Sequence, residues 1–295
     1  MEEKAFLMTE AEYLSEQRDR YKYEKTGYLT YDFKLFHLRD AVEREYIYHY
    51  HDFDKVIFFI SGRVKYMIEG KTYELNPYDI VFVNRNEIHK PEVDFSFPYE
   101  RYVLYISPEF LEQYRTEEYG LRSCFEKAKR EKSNVVQVPA VRNTKLIQKL
   151  RELEEAHDKG EYASELYERV LFLQFMIELN RACIEDKISY NHSVVYNQKI
   201  VDILEYINAH LYEELSIDGI AAAFFLSKYH MMRQFKEETG YTMHQYITEK
   251  RILAARDMIL NGVPATKAGL ECGFKDYSTF LRAFKNRLKK NPSEL

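Results

Sequence analysis

One twelve-residue stretch occurs twice in the last third of the chain. Phe225-Leu-Ser-Lys-Tyr-His-Met-Met-Arg-Gln-Phe-Lys236 and Phe274-Lys-Asp-Tyr-Ser-Thr-Phe-Leu-Arg-Ala-Phe-Lys285 superpose without a gap at an offset of 49 positions. They share Phe225/Phe274, Arg233/Arg282, Phe235/Phe284 and Lys236/Lys285. Self-similarity at one fixed offset implies two copies of a single supersecondary unit.

Each copy reads as a short apolar helix, a tight turn and a second helix. In the first, Leu215, Ile217, Ile220, Ala221 and Phe224 recur at helical spacing between Leu215 and Phe224, and Ser227 stands where the next helix needs an N-cap. In the second, Pro264 suits a first helical turn, Gly273 a left-handed turn residue and Asp276 the cap. This is the grammar of a helix-turn-helix. The second helices are expected to bury Met231 and Phe235, or Phe280 and Phe284. They leave Lys228, Tyr229, Met232, Arg233 and Lys236, or Tyr277, Ser278, Leu281, Arg282 and Lys285, on the outer face.

Such a pair reads either as a helical bundle with a solvated charged face or as a surface for a groove. Charge favours the second reading. From Ser227 to Lys290 there are 13 Lys/Arg against 6 Asp/Glu, a net of +7, in a chain whose whole carries −5. A basic segment inside an acidic chain suggests a polyanionic partner.

The region from Gln198 to Leu295 resembles the AraC/XylS transcriptional regulators. The similarity rests on Ser227-Lys-Tyr-His with Arg233 and Phe235-Lys, Gly240-Tyr-Thr, Arg251-Ile-Leu-Ala-Ala-Arg, Gly273-Phe, Arg282-Ala-Phe-Lys and Asn291-Pro-Ser-Glu. The resemblance implies two helix-turn-helix units joined by a long helix, about Met243 to Asn261, that sets both recognition helices into successive major grooves of double-stranded DNA. The residues it places at the DNA are Ser227, Lys228, Tyr229, His230, Met232, Arg233 and Lys236 in the first unit. In the second they are Lys275, Asp276, Tyr277, Ser278, Arg282 and Lys285. Arg233 and Arg282 are expected at base edges, and Lys236, Lys285 and Lys289, with N–H groups at helix N-termini, at phosphates. Two departures stand out. Met232 occupies a place where a polar base-reader is common, which weakens the expectation of readout there. Ala268-Gly269 replaces a usual Ile-Ala, which predicts looser packing under the second unit. The family motif also continues into an Arg where this sequence ends at Leu295, so a truncated last turn is expected.

With 295 residues, 45% of them hydrophobic, the chain has material for two cores. No apolar run reaches the eighteen or so residues of a membrane span, and Met1-Glu-Glu-Lys lacks the order of a signal peptide, so a cytoplasmic protein without membrane contact is expected. Cys124, Cys183 and Cys272 are odd in number and far apart, as buried reduced thiols would be. Thr9 to Arg20 could form a short helix. From Phe33 onward, short β-rich runs follow one another: Lys34–Leu38, Val56–Ile60, Val64–Ile68, Thr72–Leu75, Ile80–Val83 and Tyr102–Ile106. Turn signals separate them at Ser61-Gly62, Glu69-Gly70 and Asn76-Pro77-Tyr78-Asp79, which suggests a small sandwich or barrel.

The chemistry of that half gathers in His49-Tyr-His51-Asp-Phe-Asp-Lys55 and Asn84-Arg-Asn-Glu-Ile-His89. Residues 49, 51 and 55 share a parity, so an unbroken strand would aim them at one face, with Asp52 and Asp54 pointing outward. The pattern resembles a cupin barrel, and Phe33 to Ile106 is similar to the sensor domain of many AraC-type regulators. A metal-binding cupin carries a Glu where Lys55 stands. Three histidines could still bind a metal, but a neighbouring ammonium opposes a dication. Structural or ligand-facing histidines are therefore expected, with neither metal nor cofactor. His49, His51, Lys55 and His89 are the candidate ligand-binding set. Lys55 either holds an anionic or hydroxyl-rich metabolite, such as a sugar or sugar acid, or lays its stem along the barrel wall with its head in water.

After Ser107-Pro108 the pattern turns helical. Two longer helices are expected, about Asn143 to His157 and about Tyr162 to Ile184. The second is apolar on more than one face, and either packs on the barrel or forms a dimer seam. The polar stretch 185–197 reads as a linker.

These readings combine into an α+β chain. Residues 1–140 form a cupin-like β-barrel sensor with an N-terminal extension, 141–184 a helical pair, 185–197 a linker and 198–295 an all-α double helix-turn-helix domain. The expected function is a ligand-responsive, sequence-specific DNA-binding transcriptional regulator, and not an enzyme. Its expected partners are double-stranded DNA, a small-molecule effector and a second copy of the chain, with RNA polymerase a further possible one. Two rivals remain: a metal-dependent cupin enzyme with an accessory helical domain, against which Lys55 argues, and a single-stranded nucleic-acid binder, for which no basic aromatic strand face is visible.

Overall fold

The structure is a computed structural model that describes residues 29, 31–40, 46–159, 162–184, 188–191 and 194–295. The helix expected over Thr9 to Arg20 lies outside the described residues. The chain divides into two compact units, the first ending at Val195 and the second taking Tyr196–Leu295 together with Glu69–Lys71.

The first unit is a sheet sandwich with helices on one side. Among the described residues its strands are β1 (Phe33–Asp40), β2 (Asp54–Ser61), β3 (Val64–Ile68), β4 (Lys71–Glu74), β5 (Ile80–Val83), β6 (His89–Val93), β7 (Tyr99–Ile106), β8 (Val135–Gln137), β9 (Ser189–Tyr190) and β10 (Val194–Tyr196). One sheet has the order β1-β7-β2-β5-β8-β9 and the other β10-β4-β3-β6. β2 lies inside the larger sheet, antiparallel to β7 and to β5, and its run Asp54 to Phe59 is buried on both faces. The alternation shows why. Ile57, Phe59, Val81, Val83, Val103 and Tyr105 join Val64, Tyr66, Ile68 and Tyr73 of the smaller sheet in a core between the sheets. Val56, Phe58, Ile80, Phe82, Leu104 and Ile106 point the other way, into a second core shared with helices. A strand covered on both sides must be apolar at both parities, and Val-Ile-Phe-Phe-Ile is.

The helices are α1 (Pro108–Glu112), α2 (Ser123–Arg130), α3 (Ala140–Lys159) and α4 (Ser164–Ile184). α4 buries Leu171, Phe172, Phe175, Met176, Leu179, Ala182 and Cys183. Its one buried amide, Asn180, accepts from Cys124 N at 2.8 Å and donates to Leu121 O and Met176 O at 2.8 Å each, which ties α2 to α4 without an unmade hydrogen bond. All three cysteines are free and buried. Burial pushes the Cys183 thiol up to about 12 and that of Cys272 up to about 11. The stretch 185–197, expected as a linker, contributes β9 and β10 to the two sheets. Strands this short offer no alternation to read, so periodicity could not find them.

The second unit comprises α5 (Gln198–Ala209), α6 (Ile217–Ala223), α7 (Lys228–Thr239), α8 (Met243–Leu260), α9 (Ala265–Glu271), α10 (Tyr277–Leu288) and a closing 3-10 turn (Pro292–Glu294). α8 begins at a capping box in which Thr242 and Gln245 satisfy each other's backbone N–H. Around its C-terminal half a core gathers Ile252, Ala255, Ala268, Cys272, Phe280 and Phe284.

Candidate nucleic-acid interface and sensor core

In the second unit, α6–α7 and α9–α10 are the two helix-turn-helix copies. Ser227 caps α7 by accepting from His230 N at 3.4 Å, and Asp276 caps α10 by accepting from Thr279 N at 2.7 Å. The capping hydrogen bonds of Asp276 hold its carboxyl below the ordinary carboxylate value. Met231 and Phe235, with Phe280 and Phe284, are buried. Among the residues expected at DNA, Ser227, Lys228, Tyr229, His230, Arg233, Lys236, Lys275, Asp276, Tyr277, Ser278, Arg282 and Lys285 are exposed, and Met232 is half-buried. Two of these cations are in close ion pairs: Lys228 Nζ lies 2.9 Å from Asp218, and Arg233 Nε 2.9 Å from Glu237. Both pairs are exposed, and such pairs are worth little, so a phosphate or base edge can replace the carboxylate.

The two copies differ in the turn. The left-handed residue is Phe225 (φ 55°) in the first and Gly273 (φ 83°) in the second. From there to the cap is two residues in the first copy and three in the second, so the gap-free pairing of Phe225 with Phe274 does not hold in space. Phe225 is 96% exposed, whereas Phe274 packs edge-on against Phe280 at 5.3 Å. The turn after Ala268-Gly269 also corrects the expectation of loose packing. A Cβ on Gly269 would lie 2.6 Å from Cγ of Phe280, so the missing side chain is the space that the ring fills.

Arg251, named in the motif without a role, closes this unit. From α8 its guanidinium donates to Leu211 O (2.9 Å), Glu213 O (2.6 Å) and Gly273 O (2.7 Å). It thereby links the chain ahead of the first copy to the turn of the second. A planar fork with several donors can do this, and a lysine could not.

In the first unit the expected strand from His49 to Lys55 is broken: β2 starts at Asp54, and His49 makes only an isolated bridge to His89, N to O in both directions at 3.1 and 2.9 Å. The three imidazoles still converge. Ring centroids are 5.0 Å apart for His49 and His51, 4.4 Å for His49 and His89, and 5.1 Å for His51 and His89. Aromatic rings wall the cluster: Phe53 stacks on His51 at 4.5 Å, Tyr105 lies 5.6 Å from His51, and Tyr66 stacks on His89 at 6.1 Å. The loop that carries His89 is clipped in place. Asn86 N donates to His51 O at 2.7 Å, Arg85 N to Asp54 at 2.9 Å, and Glu87 takes hydrogen bonds from Asn84 and Asn134.

Asp54 faces away from the histidines, as expected, but not into water. It is fully buried and held by Arg122 through Nε (2.8 Å) and Nη2 (3.2 Å). Burial pushes its carboxyl up from the ordinary value, and Arg122 pulls it back. Burial acts most strongly on Arg122 and lowers it, but Asp54, Glu112 and Glu126 together hold it above its ordinary value. The two-point contact is that of a guanidinium on a carboxylate, so the ion pair is the state present. Lys55 does not reach water with its head. It is 4% exposed, and its ammonium lies over the Tyr105 ring, 5.5 Å from the centroid. Burial, then His49, His51 and Lys55, hold His89 well below the ordinary histidine value, as a neutral imidazole.

A paired-helix reader with two capped recognition helices, in one chain with a β-sandwich built around a polar interior cluster, defines a ligand-responsive DNA-binding regulator. Comparison with known proteins gives the same class. The AraC-like ligand binding domain matches residues 36–175 and a helix-turn-helix domain matches residues 220–295, and the chain belongs to the AraC family of transcriptional regulators. It is 22% identical over 252 residues to the HTH-type transcriptional activator RhaS of Escherichia coli (strain SMS-3-5 / SECEC), covering 84% of this chain and 86% of that one. Among solved structures, ToxT from Vibrio cholerae is 16% identical with a TM-score of 0.34, covering 90% of this chain and 97% of ToxT. The DNA-binding domain of AdpA in complex with a target DNA is 21% identical with a TM-score of 0.31, covering 32% of this chain and 85% of that domain. Among the described residues no helix is long and apolar enough to cross a membrane.

Proposed function

We propose that this chain is a cytoplasmic, effector-responsive transcription factor that reads DNA with Arg233 and Arg282 at base edges. Lys236, Lys285 and Lys289 grip phosphates, and Ser227, Lys228, Tyr229, His230, Met232, Lys275, Asp276, Tyr277 and Ser278 border the contact. The observation that carries this reading is the matched pair of recognition helices, each capped, each anchored by two buried apolar residues and each exposing the Arg and Lys of the repeat. The sandwich interior is the sensor, with His49, His51, Lys55 and His89 as its polar groups, and a sugar or sugar acid is the class of effector that an ammonium and imidazoles would take. A homodimer acting with RNA polymerase completes the reading. An enzymatic role is not proposed, since the relatives are transcriptional regulators.

The test is a pair of substitutions against a selected operator and random DNA. Arg282→Ala is expected to cost about 1 to 3 kcal/mol on the operator and to relax preference at one base. Lys236→Ala is expected to weaken all sequences alike and to flatten the salt dependence. Equal losses for Arg282→Ala on operator and random DNA would count against the reading.

A further inference from the structure

The first helix-turn-helix copy carries an aromatic ring that the fold does not use. α6 ends in a turn whose hydrogen bonds run from Phe225 N to Ala222 O at 3.2 Å and from Leu226 N back to Ala221 O at 3.0 Å. α9 ends in the same way, with Gly273 N bonded to Leu270 O at 2.9 Å and Phe274 N to Gly269 O at 3.2 Å. A bond that reaches back five residues needs a left-handed residue just before its donor, and glycine is the usual one because it has no Cβ to clash. Gly273 (φ 83°) meets that need without strain. Phe225 (φ 55°) meets it with the strain that any side chain brings to this region. Packing does not offset that strain, since Phe225 is 96% exposed. The cap Ser227 follows two residues on, and in the first turn of α7 Tyr229 is a second ring, 90% exposed. Neither the turn nor the core accounts for an aromatic side chain at position 225.

We propose that Phe225 lays its ring on a deoxyribose of the DNA strand beside the N-terminus of α7, as an apolar anchor for the first recognition helix. The inference deepens the DNA-binding reading and rests on it. The surface is continuous with the face that this reading gives to DNA, because Ser227, Lys228 and Tyr229 follow almost at once and all are exposed. N–H groups at the start of a recognition helix meet phosphates. Two residues of chain span at most about 7 Å, so the Phe225 ring is within reach of the sugar next to a phosphate held there. The chemistry of the ring selects the sugar. It has no donor for a phosphate oxygen, and it stands ahead of the helix rather than on the first turn, which is the part that meets base edges. The C–H face of a deoxyribose is the apolar surface that remains. Gly273 fills this place in the second copy, and Phe274 packs on Phe280, so the anchor belongs to the first copy. A sugar is alike in every nucleotide and uncharged, so the contact is blind to sequence and releases no counterion.

The experiment titrates the full chain with a selected operator duplex and with random duplex DNA at several salt concentrations. Phe225→Gly, which relieves the left-handed strain, is expected to melt at the wild-type temperature or above it. It is nevertheless expected to bind both duplexes about fivefold more weakly, as the loss of one partly buried ring would. Phe225→Asn, which also tolerates the left-handed region, is expected to behave alike, and Phe225→Tyr to keep the wild-type affinity. The salt dependence is expected to stay as in wild type, whereas Lys236→Ala flattens it. A lower melting temperature for Phe225→Gly would overturn the proposal by giving the ring a role in the fold. Loss on the operator alone would overturn it in favour of a base contact, and a flattened salt dependence in favour of an indirect effect on phosphate contacts. Unchanged affinity for both duplexes would also overturn it, and weaker transcription activation by that variant would then assign the ring to a protein partner. Lys236→Ala separates the anchor from the reading beneath it. If Lys236→Ala weakens binding and Phe225→Gly does not, the anchor alone fails, and if neither substitution changes binding, α7 does not face DNA and both fail.

Discussion

At Gly269 two effects of known size oppose each other. The residue lies inside α9, where alanine is favoured over glycine by about 1 kcal/mol in helix propensity. Yet an added Cβ would meet Cγ and Cδ1 of the fully buried Phe280 at 2.6 and 2.7 Å. Overpacking of this kind costs about 1 to 3 kcal/mol, and a ring wedged among Ala268, Cys272 and Phe284 has little freedom to move. Gly269→Ala is therefore expected to destabilise the chain by about 1 kcal/mol in urea unfolding. A stabilised variant would show that Phe280 can shift. From the sequence alone this position looks like a weakness, because a pattern shows which side chain is absent and not which neighbour uses the space. Lys55 and Asp54 teach the same lesson. Parity gave their opposite faces correctly, but it cannot reveal that Tyr105 lies under one and Arg122 over the other. The histidines were legible as a set from their spacing. The carbonyls of Ile47 and Glu87, which fix the tautomers of His49 and His89, were not, because backbone direction in a broken strand leaves no mark in side-chain order.

Among the elements, α7 and α10 were the most legible, since cap, buried pair and outward cations all recur at fixed spacing. The turns before them were not. One extra residue in the second turn is invisible to an alignment that stays in register on either side of it, and Phe225 in the left-handed region is a residue no propensity would place there. The caps also differ in charge, Ser227 against Asp276, and this has a measurable consequence. An ionised carboxylate at the N-terminus of α10 suits the helix and repels a phosphate approaching the same end. Asp276→Asn keeps the capping oxygen for Thr279 N and removes the charge. It is expected to tighten binding to operator and random DNA alike by a few-fold at low salt, and to steepen the salt dependence by about one counterion. Weaker binding by Asp276→Asn, in a protein that melts like wild type, would show instead that the carboxylate itself contacts a base.

For the whole molecule the decisive surface is the outer face of α4. At about 100° per residue, Leu166, Val170, Leu173, Ile177 and Ile184 fall within about 60° of one another, on the side opposite Phe175 and Leu179. Leu166, Val170, Ile177 and Ile184 are exposed and Leu173 is half-buried. The sequence of α4 suits both packing on the barrel and a dimer seam, and the helix has a face for each. Its inner face fills the core under the larger sheet, and its outer stripe repeats at the three- and four-residue spacing of a helix pair. Tyr162 and Tyr167 extend the apolar area where α4 begins. A stripe of this length on a lone chain is a liability in water, and a second copy laid against it would cover the same residues on both partners through a two-fold axis. Regulators that read repeated half-sites gain from such pairing, because the second domain then binds at a high effective concentration. Sedimentation at tens of micromolar is expected to give a dimer for wild type and a monomer for Leu166→Glu with Ile177→Glu. The double variant should keep its fold, since neither side chain belongs to the core. It should bind a single half-site as wild type does and lose only the gain from two in tandem. A monomeric wild type, or a double variant that remains dimeric, would remove α4 as the seam and leave the stripe unexplained.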